Sequence, residues 1–257
     1  MLLAIDIGNT NVTLGVYSES ELKGTWRVAT DHARLADEYA AVIMSLLQLG
    51  GISKTEIDAA VYASVVPSLS SVFEDVCRRH FGVVPLRIGA GVRTGLRILY
   101  EDPREVGADR IVDAVAALRL HLPPLIVVDV GTAIVFDAIS RDGDYLGGAI
   151  APGIGIATDA LAQKAALLRR IDLRPPKHAV GSNTTMAMQS GILFGYKGLI
   201  EEMIRLFKAE IGEDAWVIAT GGWAGLLSQL TGAFDYVDAN LTLNGLRLVY
   251  EMNEVSS

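Results

Sequence analysis

The chain has 257 residues, 30 of them Asp or Glu against 22 Lys or Arg, for a net charge of −8, and 51% are hydrophobic. That much apolar content fills a large core and excludes a disordered or fibrous protein, while the acidic balance excludes one that grips nucleic acid by bulk positive charge. A single cysteine, Cys77, rules out an intrachain disulfide framework and a cysteine-based zinc site, as suits a reducing, cytoplasmic setting.

The chain opens on Leu2-Leu3-Ala4-Ile5-Asp6, a short apolar run ending in a carboxylate, which reads as a buried strand. Asp6 arrives too early for a secretory leader. Ile7 to Asn11 is turn chemistry, and Val12 to Tyr17 is a second strand, so the pair predicts a hairpin. Lys23 to Thr30 supplies a third strand. Residues 34 to 48 carry helical spacing, with Leu35, Tyr39, Val42, Ile43, Leu46 and Leu47 on one face. A strand over 59–66 and a helix over 69–81 follow. Further on, Leu125 to Asp129 is again an apolar run ending in Asp. Val130 to Ala133 is again a Gly/Thr turn, and strands follow over 134–139 and 145–150. Helices are expected over 153–166, 185–208, 223–230 and 241–252, with a strand over 216–219. No apolar run approaches the roughly 18 residues of a membrane span. No membrane or nucleic-acid partner is therefore expected. His32, His80, His121 and His178 are scattered without metal-ligand spacing.

The order strand, Asp-x-Gly turn, strand, strand, helix thus occurs twice. It predicts an α/β protein of two duplicated domains, each a mixed sheet flanked by helices, with a cleft between them. The boundaries are 1–117, carrying the first hairpin, and 118–257, carrying the second hairpin and an adenosine motif. Each turn offers backbone amides, a Thr hydroxyl and a carboxylate. Amides and hydroxyls suit phosphate oxygens, and a carboxylate suits magnesium. This is the phosphate-handling plan of the actin-like (ribonuclease H-like) ATPase superfamily, which includes the acetate and sugar kinases. No Gly-Lys dipeptide exists, which removes the P-loop, and no Gly-x-Gly-x-x-Gly is complete.

Four stretches carry a more specific likeness: Asp6-Ile7-Gly8-Asn9-Thr10-Asn11, Gly107-Ala108-Asp109-Arg110, Asp129-Val130-Gly131-Thr132-Ala133, and Gly147-Gly148 with Ile150, Pro152 and Gly153. Together they resemble the type III pantothenate kinases of coenzyme A biosynthesis. Tyr100 to Pro103, Gly181 with Asn183-Thr184, and Ala219 to Gly222 echo the same family. The resemblance implies transfer of a phosphoryl group from ATP to the primary hydroxyl of pantothenate, with magnesium and a monovalent cation, K+ or NH4+. Asp6, Ile7, Gly8, Asn9, Thr10, Asn11, Val12 and Thr13 would form the first phosphate hairpin, with Asp6 holding magnesium. Thr132 would touch ATP, and Asp129 would ligate the monovalent cation. Tyr100, Gly107, Ala108, Asp109, Arg110 and Thr184 would line the pantothenate pocket. The family works as a homodimer. An unpaired carboxylate closing a buried strand is costly, and no Lys or Arg lies near Asp129 in sequence, so a bound cation fits there.

Asp109 precedes the apolar-periodic run Ile111, Val112, Val115 and Ala116. It can accept the proton of an attacking hydroxyl, or it can N-cap the helix. The resemblance favours the base. Arg110 can pair with the substrate carboxylate or join a surface ion pair with Glu105 or Asp113. Asp113 stands where the family usually has Asn. That puts two carboxylates four residues apart on one helical face, and if both face the cleft their repulsion should raise the pKa of one of them. The first hairpin lacks a lysine that some members carry, and Ile134-Val135 replace threonines. Trp223, directly after Thr220-Gly221-Gly222, is placed to border an adenine. Acceptor choice lies outside the phosphate hairpins, so a kinase for another small hydroxy acid remains an alternative, as does a nucleotide-binding regulator without catalysis.

Overall fold

A computed structural model describes residues 1–254 of the chain. Apolar runs and glycine turns divide it into β1 (Leu2–Ile7), β2 (Asn11–Ser18), β3 (Glu21–Ala29), α1 (Ala36–Leu49), β4 (Ala59–Ser64), α2 (Pro67–Asp75), β5 (Leu86–Arg87) and α3 (Ala108–Leu120). The plan then restarts with β6 (Leu125–Val130), β7 (Ala133–Ile139), β8 (Tyr145–Pro152), α4 (Ile154–Lys164), α5 (Thr184–Ile211), β9 (Trp216–Thr220), α6 (Ala224–Leu227), β10 (Tyr236–Val237) and α7 (Leu241–Glu254). One sheet runs β3-β2-β1-β4-β5 and the other β8-β7-β6-β9-β10, so the two orders match strand for strand. In each, the first three strands are antiparallel neighbours and the remaining pairs are parallel. The duplication expected from the repeated Asp-x-Gly turns is present in topology and direction alike.

Two compact units result. Among the described residues, the first gathers Met1–Gly95, Asp102–Ala116 and 242–254, while the second holds Leu96–Glu101 and Ala117–Leu241. β1 is buried on both faces, as its unbroken run of apolar residues requires. Its Leu3, Ile5 and Ile7 form a core with Tyr39 and Ile43 of α1 and Phe73 of α2. The rings of Tyr39 and Phe73 meet at 4.8 Å between centroids. In the second unit Val128, Val130, Ile134 and Phe136 pack with Leu193, Ile200 and Ile204 of α5. α7 closes the first unit, and Gly245 lets its backbone approach α3. A Cβ there would lie 2.0 Å from the carbonyl oxygen of Val112.

Four local expectations differ. Leu35, expected on the buried face of α1, is 68% exposed, because it precedes the first helical turn and its amide is held by Glu38 Oε2. The fourth strand stops at Ser64 because Pro67 opens α2. The following helix is α-helical only to Asp75 and continues as a π-helical segment over Val76–Phe81. The two-residue edge strands β5 and β10 carry no periodicity and were not expected.

Candidate active site

The first hairpin places Asp6 opposite Thr13 and Ile7 opposite Val12. Its turn closes when the Gly8 amide donates to the Asn11 carbonyl at 3.0 Å. The end of β3 clamps it from the side: Thr30 Oγ1 donates to the Gly8 carbonyl at 2.7 Å, and the Thr30 amide donates to the Thr10 carbonyl at 3.0 Å. With these carbonyls engaged inside the fold, Asn9, Thr10 and Asn11 stay exposed and Asp6 is half-buried. Val12 points into the core, so any contact it makes with a phosphate runs through its backbone.

The second hairpin repeats this with one residue fewer. Val130 sits opposite Ile134, and Asp129 opposite Val135, so Asp129 occupies the register position that Asp6 holds in the first. The Gly131 amide donates to the Ala133 carbonyl at 2.9 Å and leaves Thr132 exposed. Two other glycines press on this turn. Gly153, opening α4, donates its amide to the Thr132 carbonyl at 3.1 Å, and a Cβ on it would fall 2.1 Å from that oxygen. Gly221, with φ +92, abuts the Asp129 carboxylate, where a Cβ would fall 2.2 Å from Oδ1. The Trp223 amide binds the Val130 carbonyl at 3.0 Å, docking the loop after β9 on the hairpin. The Asp129 carboxylate therefore lies in a cradle of backbone that only glycine permits. Among the described residues no group of three or more His, Cys, Asp or Glu side chains is placed to hold a metal. The Asp129 carboxylate and the backbone carbonyls of this turn are hard oxygen donors, the ligand type of magnesium and potassium.

Asp109 is the second residue of α3. That corrects the simple N-cap alternative: the carbonyl of Gly107 accepts the first helical bond, from Ile111 at 3.2 Å, so Gly107 occupies the cap position. The Asp109 carboxylate folds back to accept the amide of Arg110 at 2.8 Å, and a Cβ on Gly107 would stand 2.4 Å from it. Burial pushes its pKa above the ordinary carboxylate value, opposed by the amide and charge of Arg110. Burial, not the repulsion expected from Asp113, is the leading cause. Asp113 itself is buried. Arg110 and Ala108 are half-buried on the same turn.

Tyr100 belongs to the second unit, within the short excursion Leu96–Glu101. Its ring covers Gly147 of β8, where a Cβ would lie 3.1 Å from both Cδ2 and Cε2. Thr184 is the exposed first residue of α5, capped by Asn183, whose side chain accepts the Met186 amide at 2.9 Å. The structure thus joins Asp129 and Thr132 with Gly153 and Gly221 in one cradle, and Tyr100 with Gly147. Asp6 and Asp109 lie in the first unit. Thr30 was missed, since nothing in its sequence surroundings marks a clamp. The tight packing of Gly221 had a visible signal in the Thr-Gly-Gly tripeptide.

A model of the family "Type III pantothenate kinase" matches residues 2–206. Proteins named type III pantothenate kinase from Moorella thermoacetica and from a Roseiflexus species are 53% and 49% identical to this chain. Each alignment covers 98% of this chain, with 100% of the first relative and 99% of the second. Among solved structures, component A of (R)-2-hydroxyglutaryl-CoA dehydratase from Acidaminococcus fermentans is similar with TM-score 0.58 at 13% identity. It covers 100% of this chain and 99% of its own. An activator of 2-hydroxyisocaproyl-CoA dehydratase from Clostridium difficile is similar with TM-score 0.54 at 10% identity, over 100% and 98% of the two chains. At these identities the likeness shows the fold alone, the duplicated actin-like architecture.

Proposed function

This chain belongs to the type III pantothenate kinase family, and from that premise we propose how its residues divide the ATP-dependent phosphorylation of pantothenate, the first step of coenzyme A biosynthesis. The observation that carries the residue assignment is the paired placement of Asp6 and Asp129, each at the same register position beside a glycine turn. The exposed turn around Asn9 and Thr10 offers amides and hydroxyls to the ATP phosphates, and Asp6 holds the accompanying magnesium. Thr132 offers its hydroxyl from the second turn. Asp129, in its glycine cradle, holds a monovalent cation, K+ or NH4+. Bound cations neutralise charge that develops on the phosphate oxygens during transfer. Trp223, fixed to Val130, borders the adenine.

Asp109 accepts the proton of the pantothenate hydroxyl as its oxygen bonds to the γ-phosphorus and the bond to the β-phosphate oxygen breaks, releasing ADP. Its raised pKa makes it a better proton acceptor than a free carboxylate. Arg110 offers its guanidinium to the substrate carboxylate. Tyr100, the Gly107–Ala108 turn and Thr184 complete the pantothenate pocket. Exposed Ile150, Ile156, Leu161, Leu167 and Val180 give the second unit apolar surface suited to a second copy of this chain. No helix among the described residues is long and apolar enough to cross a membrane; a cytoplasmic location is our reading of the single unpaired Cys77, which suits a reducing compartment. The test is ADP release from the purified protein with pantothenate and a panel of small hydroxy acids. Pantothenate-dependent turnover is expected; turnover on another acceptor and none on pantothenate overturns the substrate.

A further inference from the structure

The excursion Leu96–Glu101 leaves the first unit, joins the second for six residues and returns. Backbone bonds hold it at Tyr145, the first residue of β8. The Tyr145 amide donates to the Arg97 carbonyl at 2.9 Å, and the Leu99 amide donates to the Tyr145 carbonyl at 2.8 Å. Beside them the Arg97 guanidinium forks onto Asp144, Nε to Oδ1 at 2.7 Å and Nη2 to Oδ2. Asp144 is 7% exposed, whereas the Arg97 side chain lies mostly in solvent. The carboxylate is thus the fixed member and the arginine reaches in to it. The arginine holds the Asp144 carboxyl below its ordinary range. Tyr145 is itself pinned, its hydroxyl donating to buried Asp137 at 2.6 Å. Three residues beyond Arg97, the Tyr100 ring lands on Gly147, three residues beyond Asp144.

We propose that the Arg97–Asp144 pair is a positioning device that fixes Tyr100 against Gly147 and thereby sets the enzyme's affinity for pantothenate. The inference rests on the reading that Tyr100 lines the pantothenate pocket. Geometry carries the rest: the backbone bonds from Arg97 and Leu99 converge on Tyr145, and the bidentate fork adds a side-chain restraint from Arg97 to the neighbouring Asp144. A planar guanidinium supplies two parallel bonds, where an ammonium supplies a point charge. Neither Arg97 nor Asp144 has been given a part in binding or chemistry, so an effect on one substrate alone reveals positioning.

The experiment measures KM for pantothenate, KM for ATP, kcat and melting temperature for Arg97→Ala, Arg97→Lys, Asp144→Asn, the Arg97→Ala/Asp144→Asn double variant and Tyr100→Ala. Arg97→Ala is expected to raise KM for pantothenate roughly 5- to 100-fold, with KM for ATP and kcat near wild type. Arg97→Lys should recover part of that loss. The double variant should be no worse than the more affected single, as for one shared interaction. Arg97 is exposed, so its variants fold even if those of Asp144 do not. Tyr100→Ala raising KM for pantothenate while Arg97→Ala leaves it unchanged overturns the positioning role. Tyr100→Ala without effect on that KM overturns the pocket reading instead. A fall in melting temperature with both KM values unchanged makes the pair structural only, and also overturns it.

Discussion

At Asp109 two demands meet on one side chain. Burial makes the carboxylate more basic and also makes its charged form unfavourable in the fold. Its folded pKa lies above the unfolded value near 3.8, so the unfolded chain loses this proton first as pH rises. The resulting destabilisation sets in above the unfolded pKa and is complete once pH passes the folded one. Asn keeps the size and an oxygen able to accept the Arg110 amide, but has no proton to lose. Asp109→Asn should therefore reduce turnover by roughly 10²- to 10⁴-fold, as for a lost general base. It should match or exceed wild-type stability at neutral pH, with that advantage disappearing in acid. Turnover above about a tenth of wild type excludes Asp109 as the base, and melting curves at pH 3 and pH 7 check the linkage.

At the level of the element, the two hairpins differ in what supports them. The first is clamped through side-chain and backbone bonds from Thr30, the second through the backbones of Gly153 and Gly221. Gly221→Ala places a methyl group against the Asp129 carboxylate and strains a left-handed residue, two independent penalties. We expect wild-type activity to need potassium or ammonium and to be weak in sodium alone. Gly221→Ala should lower both the melting temperature and activity, and no excess of potassium should restore the latter. Equal wild-type turnover in sodium and potassium buffers contradicts the cation role of Asp129. These elements also mark what sequence reveals. Leu125 to Asp129 followed by Gly131 announces its hairpin because strand, carboxylate and turn are adjacent. Asp129 against Gly221, or Arg97 against Asp144, joins residues dozens of positions apart, which no local pattern encodes. The Tyr236–Val237 strand has only parallel pairing to β9 to define it, and two residues have no period. Leu35 misled because helical spacing continues past the residue where the helix begins.

For the molecule as a whole, apolar side chains remain on the second unit after its core is filled. Ile150 is 66% exposed, Leu167 91% and Val180 88%. Pairing of two copies would cover such surface, and a stable pair buries on the order of 1,600 Å² in total. Sedimentation should find about twice the 27.5 kDa chain mass. Ile150→Lys together with Leu161→Lys, both at exposed positions, should shift that toward the single chain without unfolding it. A wild-type monomer at micromolar concentration refutes the pairing.

The first unit is assembled from three separated stretches of chain, the last of them α7, whereas the second is nearly continuous and ends at Leu241. Emergence from the ribosome is vectorial, so the two halves reach completion out of sequence order. By the time Ala116 has been made, the first sheet with α1 and α2 exists, yet Val112 still awaits the close approach of Gly245. At roughly 5–20 residues per second that wait lasts on the order of ten seconds. Through this interval the later half is still being made, and the first half lacks the helix whose Leu243, Leu246 and Val249 become buried when it docks. The N-terminal half, translated first, is completed last.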